Sequence, residues 1–174
     1  MLQALSVADV QRETIEIDPY IPLNIKWDCN TNKIDLGKLY WRTGDFKTSL
    51  LEVSLEPHSG TICSITLVAW NILRTKLPKR MERDIPQQYG RPVFNISDFS
   101  SDGYDVYDCA GSFTVYFEGD KIYVLFVEDV RKVTSMLVNG RVRFGLDDQN
   151  ALCWIGVNNL TKNEIEQLKM ALDR

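Results

Sequence analysis

The segment Ser112–Val127, Ser-Phe-Thr-Val-Tyr-Phe-Glu-Gly-Asp-Lys-Ile-Tyr-Val-Leu-Phe-Val, narrows the fold more than any other part of the chain. Two runs of β-branched and aromatic residues flank Gly119-Asp120, the composition of a two-residue hairpin turn. A loop of that length sets Glu118 opposite Lys121, Phe117 opposite Ile122, Val115 opposite Val124 and Phe113 opposite Phe126. Strand side chains alternate faces, so the apolar pairs share one side and Tyr116 and Tyr123 share the other. A slip of one residue would turn the apolar set to water, which fixes the register. This hairpin is expected at the centre of a sheet.

Two further hairpins are legible. In Leu50–Glu56, Leu51, Val53 and Leu55 alternate with Glu52, Ser54 and Glu56; the turn residues Pro57-His58-Ser59-Gly60 then lead into the β-branched run Thr61–Trp70. Arg141–Leu146 and Ala151–Val157 flank Asp147-Asp148-Gln149-Asn150, and pairing Leu146 with Ala151 puts Phe144 by Cys153 and Val142 by Ile155. Short strands are expected at Leu23–Asp28 and Ile34–Trp41, and a short helix or turn at Glu128–Val138. Residues 1–18 carry a weak helical pattern (Leu2, Leu5, Ala8) and then alternate at Thr14–Ile17, consistent with a loosely attached segment. Near the C-terminus, Thr161-Lys162-Asn163-Glu164 is a capping box, and Ile165, Leu168 and Leu172 form one apolar stripe. The expected fold is a single α+β domain over residues 1–174, a largely antiparallel sheet built from hairpins and covered by the C-terminal helix.

A chain of 174 residues that is 44% hydrophobic and 25% charged can bury one real core. It has no apolar run of membrane-spanning length, so no membrane association is expected. Met1–Ser6 lacks a basic region followed by an apolar one, so no signal peptide is expected. Cys29, Cys63, Cys109 and Cys153 lack metal-ligand spacing and read as reduced thiols of a cytoplasmic protein. The lone histidine, His58, sits in a turn, and neither phosphate-binding glycine motif occurs. No cofactor, no metal and no enzymatic activity are expected.

Charge is more informative. Arg74–Arg83 holds five basic residues, but the net charge is −4 and no aromatics interleave them. A solvated connector fits better than a nucleic-acid surface, which wants a positive face for phosphates. Pro92–Asp120 contains no lysine or arginine. There Asp98, Asp102, Asp105 and Asp108 interleave with Phe99, Tyr104 and Tyr107, and Glu118 and Asp120 follow. Interface centres are rich in tyrosine, and rim charges steer partners of opposite sign. The candidate partner-binding residues are therefore Asp98, Asp102, Tyr104, Asp105, Tyr107, Asp108, Glu118 and Asp120. The same composition also fits a solvated acidic loop with its aromatics folded inward.

Leu50-Leu51-Glu52-Val53-Ser54-Leu55-Glu56, passing through a glycine turn into Ile62–Val68, is similar to a pattern of bacterial immunity proteins. So is the closing series Val142–Asp147, Leu152–Ile155 and Asn159–Ile165. Those proteins neutralise toxins of contact-dependent growth inhibition and related polymorphic toxin systems. The resemblance implies a small acidic cytoplasmic protein that binds one cognate toxin domain, often a basic nuclease, and occludes its active site. It transfers no site residue. The other classes in view are an adaptor domain with a different protein partner and an enzyme acting on a small molecule.

Overall fold

The computed structural model describes residues 1–18, 20–29, 37–82, 84–99 and 105–172. The strands are β1 Ala4–Ala8, β2 Glu13–Glu16, β3 Leu23–Trp27, β4 Leu39–Gly44, β5 Leu50–Leu55, β6 Ile62–Ala69, β7 Leu73–Arg74 and β8 Gln87–Tyr89. They continue with β9 Arg91–Phe94, β10 Val106–Ala110, β11 Thr114–Glu118, β12 Lys121–Leu125, β13 Ser135–Asn139, β14 Val142–Leu146 and β15 Leu152–Val157. One helix, α1 Lys162–Leu172, follows.

Two large sheets form, in the orders β10-β4-β5-β6-β3-β2 and β7-β11-β12-β15-β14-β13-β8, with β1-β9 as a separate pair. Pairing is antiparallel except for β10–β4, β11–β7 and β13–β8, each at a sheet edge. The sheets share one apolar core. Ile25, Leu51, Val53 and Ile65 come from one, Val115, Val124, Phe144 and Ile155 from the other. The Trp27 and Phe144 rings meet with centroids 6.2 Å apart. Leu168 and Leu172 of α1 join this core, completing the α+β domain.

The central hairpin pairs as its turn demands, from Thr114 with Leu125 to Glu118 with Lys121, around Gly119 at φ 62°. The capping box forms: Thr161 N–H donates to Glu164 Oε2 at 2.7 Å, and Glu164 N–H to Thr161 Oγ1 at 3.3 Å. The Arg141 guanidinium also grips Glu164, at 2.8 and 3.0 Å, tying α1 to the β13–β14 turn.

Several expectations are corrected. Ala4–Ala8 is a strand, because its exposed backbone finds a partner in β9 that a short, weakly patterned helix would lack. Residues 1–18 are built into the fold, with Leu2, Ala4 and Ile17 buried. Glu128–Val138 contains a 3-10 turn at Val130–Lys132 and the start of β13, which the two-residue turn Gly140-Arg141 closes. In the third hairpin Phe144 faces Ile155 and Val142 faces Val157, two residues from the expected register. One residue of this shift arises at the turn, where Leu146 pairs with Leu152 and not Ala151, and the other at a bulge opposite Gly145/Leu146, which turns Cys153 and Trp154 both toward the outer face. The strand expected at Ile34–Trp41 begins at Leu39, and residues 34–36 lie outside the described ones. Finally, Cys29 and Cys63 form a disulfide, with Cα atoms 5.7 Å apart, so only Cys109 and Cys153 are free thiols.

The sheets differ in what covers them. On the outside of the seven-stranded sheet, Tyr123, Leu125, Cys153 and Trp154 make a second cluster beneath Leu77, Met81, Ile85, Val130 and Val133. The basic connector therefore serves as a lid on that sheet. Among the described residues, the outer face of the six-stranded sheet carries no such apolar cluster.

Candidate protein-binding face

The uncovered face is built by register. Across all six strands Asp108, Arg42, Glu52, Thr66, Asn24 and Glu16 stand side by side. The next row is Val106, Tyr40, Ser54, Ser64, Lys26 and Thr14. Strand alternation sends their neighbours Trp41, Val53, Ile65 and Ile25 into the core.

Most of these polar groups are already paired. Arg42 binds Asp108 in a fork, Nε to Oδ1 at 2.7 Å and Nη2 to Oδ2 at 2.9 Å, which raises the guanidinium pKa further. Lys26 and Asn24 reach Glu16 at 2.7 and 3.1 Å, and Ser54 and Ser64 share a hydrogen bond of 2.5 Å. The two ion pairs are half-exposed and contribute little stability, since solvent screens them and the long side chains lose entropy, whereas Ser54 is itself buried. Their effect here is to hold the charges in fixed positions.

Strand β10 forms the edge of this face. Tyr40 N–H donates to the Asp105 carbonyl at 2.6 Å where the parallel ladder begins. Alternation then puts Asp108 outward and Tyr107 inward, where Tyr107 meets Phe99 with ring centroids 5.8 Å apart. There a cleft of about 60 Å³ is lined by Met1, Leu2, Gln3, Trp41, Asn95, Asp98, Phe99 and Tyr107. Trp41 Nε1–H is buried and has no hydrogen-bond partner among the described residues.

The eight residues singled out from the sequence are thus divided. Asp98 and Tyr107 meet at the cleft. Asp105 is exposed at the start of β10, and Asp108 lies on the open face. Glu118 and Asp120 stand at the tip of the β11–β12 hairpin in the other sheet. There the Glu118 carboxylate accepts Leu77 N–H at 2.7 Å, and the Asp120 carbonyl accepts Leu160 N–H. Both positions hold the fold together, through the connector and the entry to α1. Asp102 and Tyr104 lie outside the described residues.

Trp41 and Arg42 were missed as site residues. Their only sequence signal is an expected strand ending at Trp41, and nothing local shows that it pairs with a strand more than sixty positions away (roughly, by the Arg42–Asp108 separation of 66). His58 is exposed in the β5–β6 turn, where its N–H and that of Ser59 donate to Glu56 at 3.0 and 2.5 Å. Among the described residues no three His, Cys, Asp or Glu side chains gather as metal ligands. A larger groove, about 380 Å³ between β1 and the β8–β13 pair, has no titratable side chain in its lining. Among the described residues no helix is long and apolar enough to cross a membrane.

No protein-family model matches this sequence, and no curated protein matches it. The functional reading therefore rests on the face and the cleft.

Proposed function

We propose that this chain is a protein-binding module of the immunity type, which neutralises a basic toxin domain by covering its active site. The observation that supports it best is the polar face of the six-stranded sheet, whose edge strand β10 carries Asp108 near the exposed Asp105 and lies within a stretch with no lysine or arginine between Pro92 and Asp120. Its charges are held in register before any partner arrives, so little side-chain entropy is lost on docking. Asp98, Asp105 and Asp108 take the place of the phosphates that a nuclease's lysines and arginines bind. The toxin as partner comes from the likeness of Leu50–Glu56, Ile62–Val68 and the closing hairpin and helix to immunity proteins.

Such a module acts where its toxin acts. The Cys29–Cys63 bridge fits an oxidising compartment, in which disulfides persist, and weighs against the cytoplasm. The partner is accordingly defined by its chemistry, a basic protein domain, and not by the toxin's activity.

The test is co-expression with the product of the adjoining reading frame, scored by co-purification and, if that product arrests growth, by relief of the arrest. Asp105→Asn/Asp108→Asn should slow association and flatten its salt dependence, because fewer screened charges remain to steer the encounter. A protein that neither binds nor protects overturns the reading.

A further inference from the structure

Natural sheets defend their end strands with charge, because an open row of N–H and C=O groups recruits further strands. Among the described strands, β2 carries Glu13 and Glu16 at such an end, β10 Asp108, β7 Arg74 and β9 Arg91. The two remaining end strands, β1 and β8, carry no charge. Both line the same groove of about 380 Å³. β8 pairs only with β13 among the described strands. There Met136 N–H donates to the Pro86 carbonyl and Gly90 N–H to the Val138 carbonyl, each at 2.9 Å. Main-chain groups alternate between the two edges of a strand, so those of Gln87 and Tyr89 point away from β13, where no described strand pairs with them. β1 is open as well. Leu152 N–H donates to the Leu2 carbonyl and Ala4 N–H to the Asn150 carbonyl, but beyond Ala4 that edge has no partner among the described strands. The groove lining is uncharged, with Leu5, Val7 and Met136 apolar and Ser6, Gln87 and Gln88 polar. Leu5 stays 64% exposed, and all three residues of β8 are exposed.

We propose that this groove receives an extended, uncharged segment of a partner protein, which joins the seven-stranded sheet as a further strand beside β8. Main-chain hydrogen bonds to Gln87 and Tyr89 hold the segment, and Leu5 and Val7 of β1 pack against its side chains. The occupant is uncharged because the lining offers no group to pair with a charge, so a buried one would be desolvated without compensation. It is a foreign strand and not a second copy of this chain, because a symmetric contact would set one groove against the same groove, concave against concave. About three residues of extended chain, roughly 10 Å, match the length of β8. This goes beyond the immunity reading and does not rest on it, since that reading concerns the face of the other sheet.

The experiment titrates isotope-labelled full-length protein with two capped peptides, acetyl-Thr-Val-Thr-Val-Thr-amide and acetyl-Gln-Val-Thr-Val-Gln-amide. Two sequences are used because recognition through the main chain tolerates a change of side chain. The readout is the amide resonances of Gln87 and Tyr89, by chemical shift and by hydrogen exchange. In the free protein both amides should exchange as fast as open chain at every protein concentration. Each peptide should shift them saturably, with a Kd on the order of 1–10 mM for a ligand of that size, and slow their exchange. N-methylation of alternate amides, on whichever edge of the peptide bonds to β8, removes its hydrogen bonds and should raise the Kd at least fivefold (roughly, the worth of one such bond). Gln87→Pro deletes one outward donor without touching the β13 ladder, a place where an edge strand tolerates proline, and should raise the Kd by a similar factor. If that variant does not fold, the N-methylated peptides carry the same test. Unmoved Gln87 and Tyr89 amides with both peptides, or a Kd indifferent to N-methylation on either edge, overturns the inference. So does protection of these amides that grows with protein concentration in the absence of peptide, which would make a second copy the occupant. The titration needs no toxin, so its failure leaves the immunity reading standing, and failed protection against a toxin leaves the groove standing.

Discussion

Gly145→Ala should destabilise this protein although it adds a single methyl group. Gly145 lies opposite Trp154 on the neighbouring strand, and a Cβ built on it would overlap the indole ring. The same arrangement repeats one strand on, where Gly156 lies opposite Tyr123 and a Cβ there would overlap the phenol ring. The two rings then meet edge to face, with centroids 5.2 Å apart, and the Tyr123 hydroxyl donates to Asn158 at 2.7 Å. Each glycine is thus the notch in which its neighbour's ring lies flat. Trp154 is almost fully buried and cannot swing away, so the added methyl overpacks the second core at a cost of about 1–3 kcal/mol. Gly145 has no positive φ to lose, and alanine restricts the unfolded chain, which returns about 0.4–1 kcal/mol. The expected net loss is roughly 1–2 kcal/mol. The decisive background is Trp154→Leu, which removes the ring and itself costs up to about 3 kcal/mol. There Gly145→Ala should become neutral or slightly stabilising. Urea denaturation followed by far-ultraviolet circular dichroism measures all four corners of this cycle. An equal loss from Gly145→Ala in both backgrounds would refute the notch, because ring overlap would not be its cause.

Thr161→Ala should cost about 1 kcal/mol in urea denaturation through loss of the N-cap, and Leu168→Ala about 2–5 kcal/mol, because Leu168 is in the core between the sheets. The Arg141 guanidinium, acting against partial burial and aided by Thr161, holds the Glu164 carboxyl below its ordinary pKa. A depressed carboxyl stabilises above its unfolded value, near 4.3 (approximately), and loses that contribution as pH falls through the folded one. The stability deficit of Glu164→Gln should therefore be largest at neutral pH and shrink in acid, as urea midpoints on either side of that range will show. The Cys29–Cys63 bridge should leave two titratable thiols in protein unfolded without reductant, and reduction should cost about 2–4 kcal/mol in urea denaturation. Burial pushes the Cys153 thiol up to about 11, so iodoacetamide should spare it in the native state at mildly alkaline pH, as peptide mass spectrometry can check.

What the sequence determined by itself was local. Gly119-Asp120 dictated a two-residue turn, and with it every pair from Thr114–Leu125 to Glu118–Lys121. Leu51, Val53 and Leu55 announced their buried face, and Thr161 with Glu164 announced the start of the helix. In each case the interacting residues are near neighbours in the chain, so spacing alone specifies the geometry. The tertiary structure decided the rest. The Gly140-Arg141 turn was not legible because the strand before it, Ser135–Asn139, reads as irregular until β14 and β8 flank it. The turn register at Leu146–Leu152 and the bulge at Cys153 left no mark in the residue pattern, yet together they moved Phe144 from Cys153 to Ile155. The acidic stretch was visible as composition, but composition carries no direction. Only the parallel pairing of β10 with β4 turned Asp108 outward to Arg42, Tyr107 inward to Trp41's cleft, and left Glu118 to hold the connector. A parallel edge pairing joins segments far apart in sequence without a turn to set their register, so its energy comes from ladder hydrogen bonds and burial that exist only once both sheets have formed.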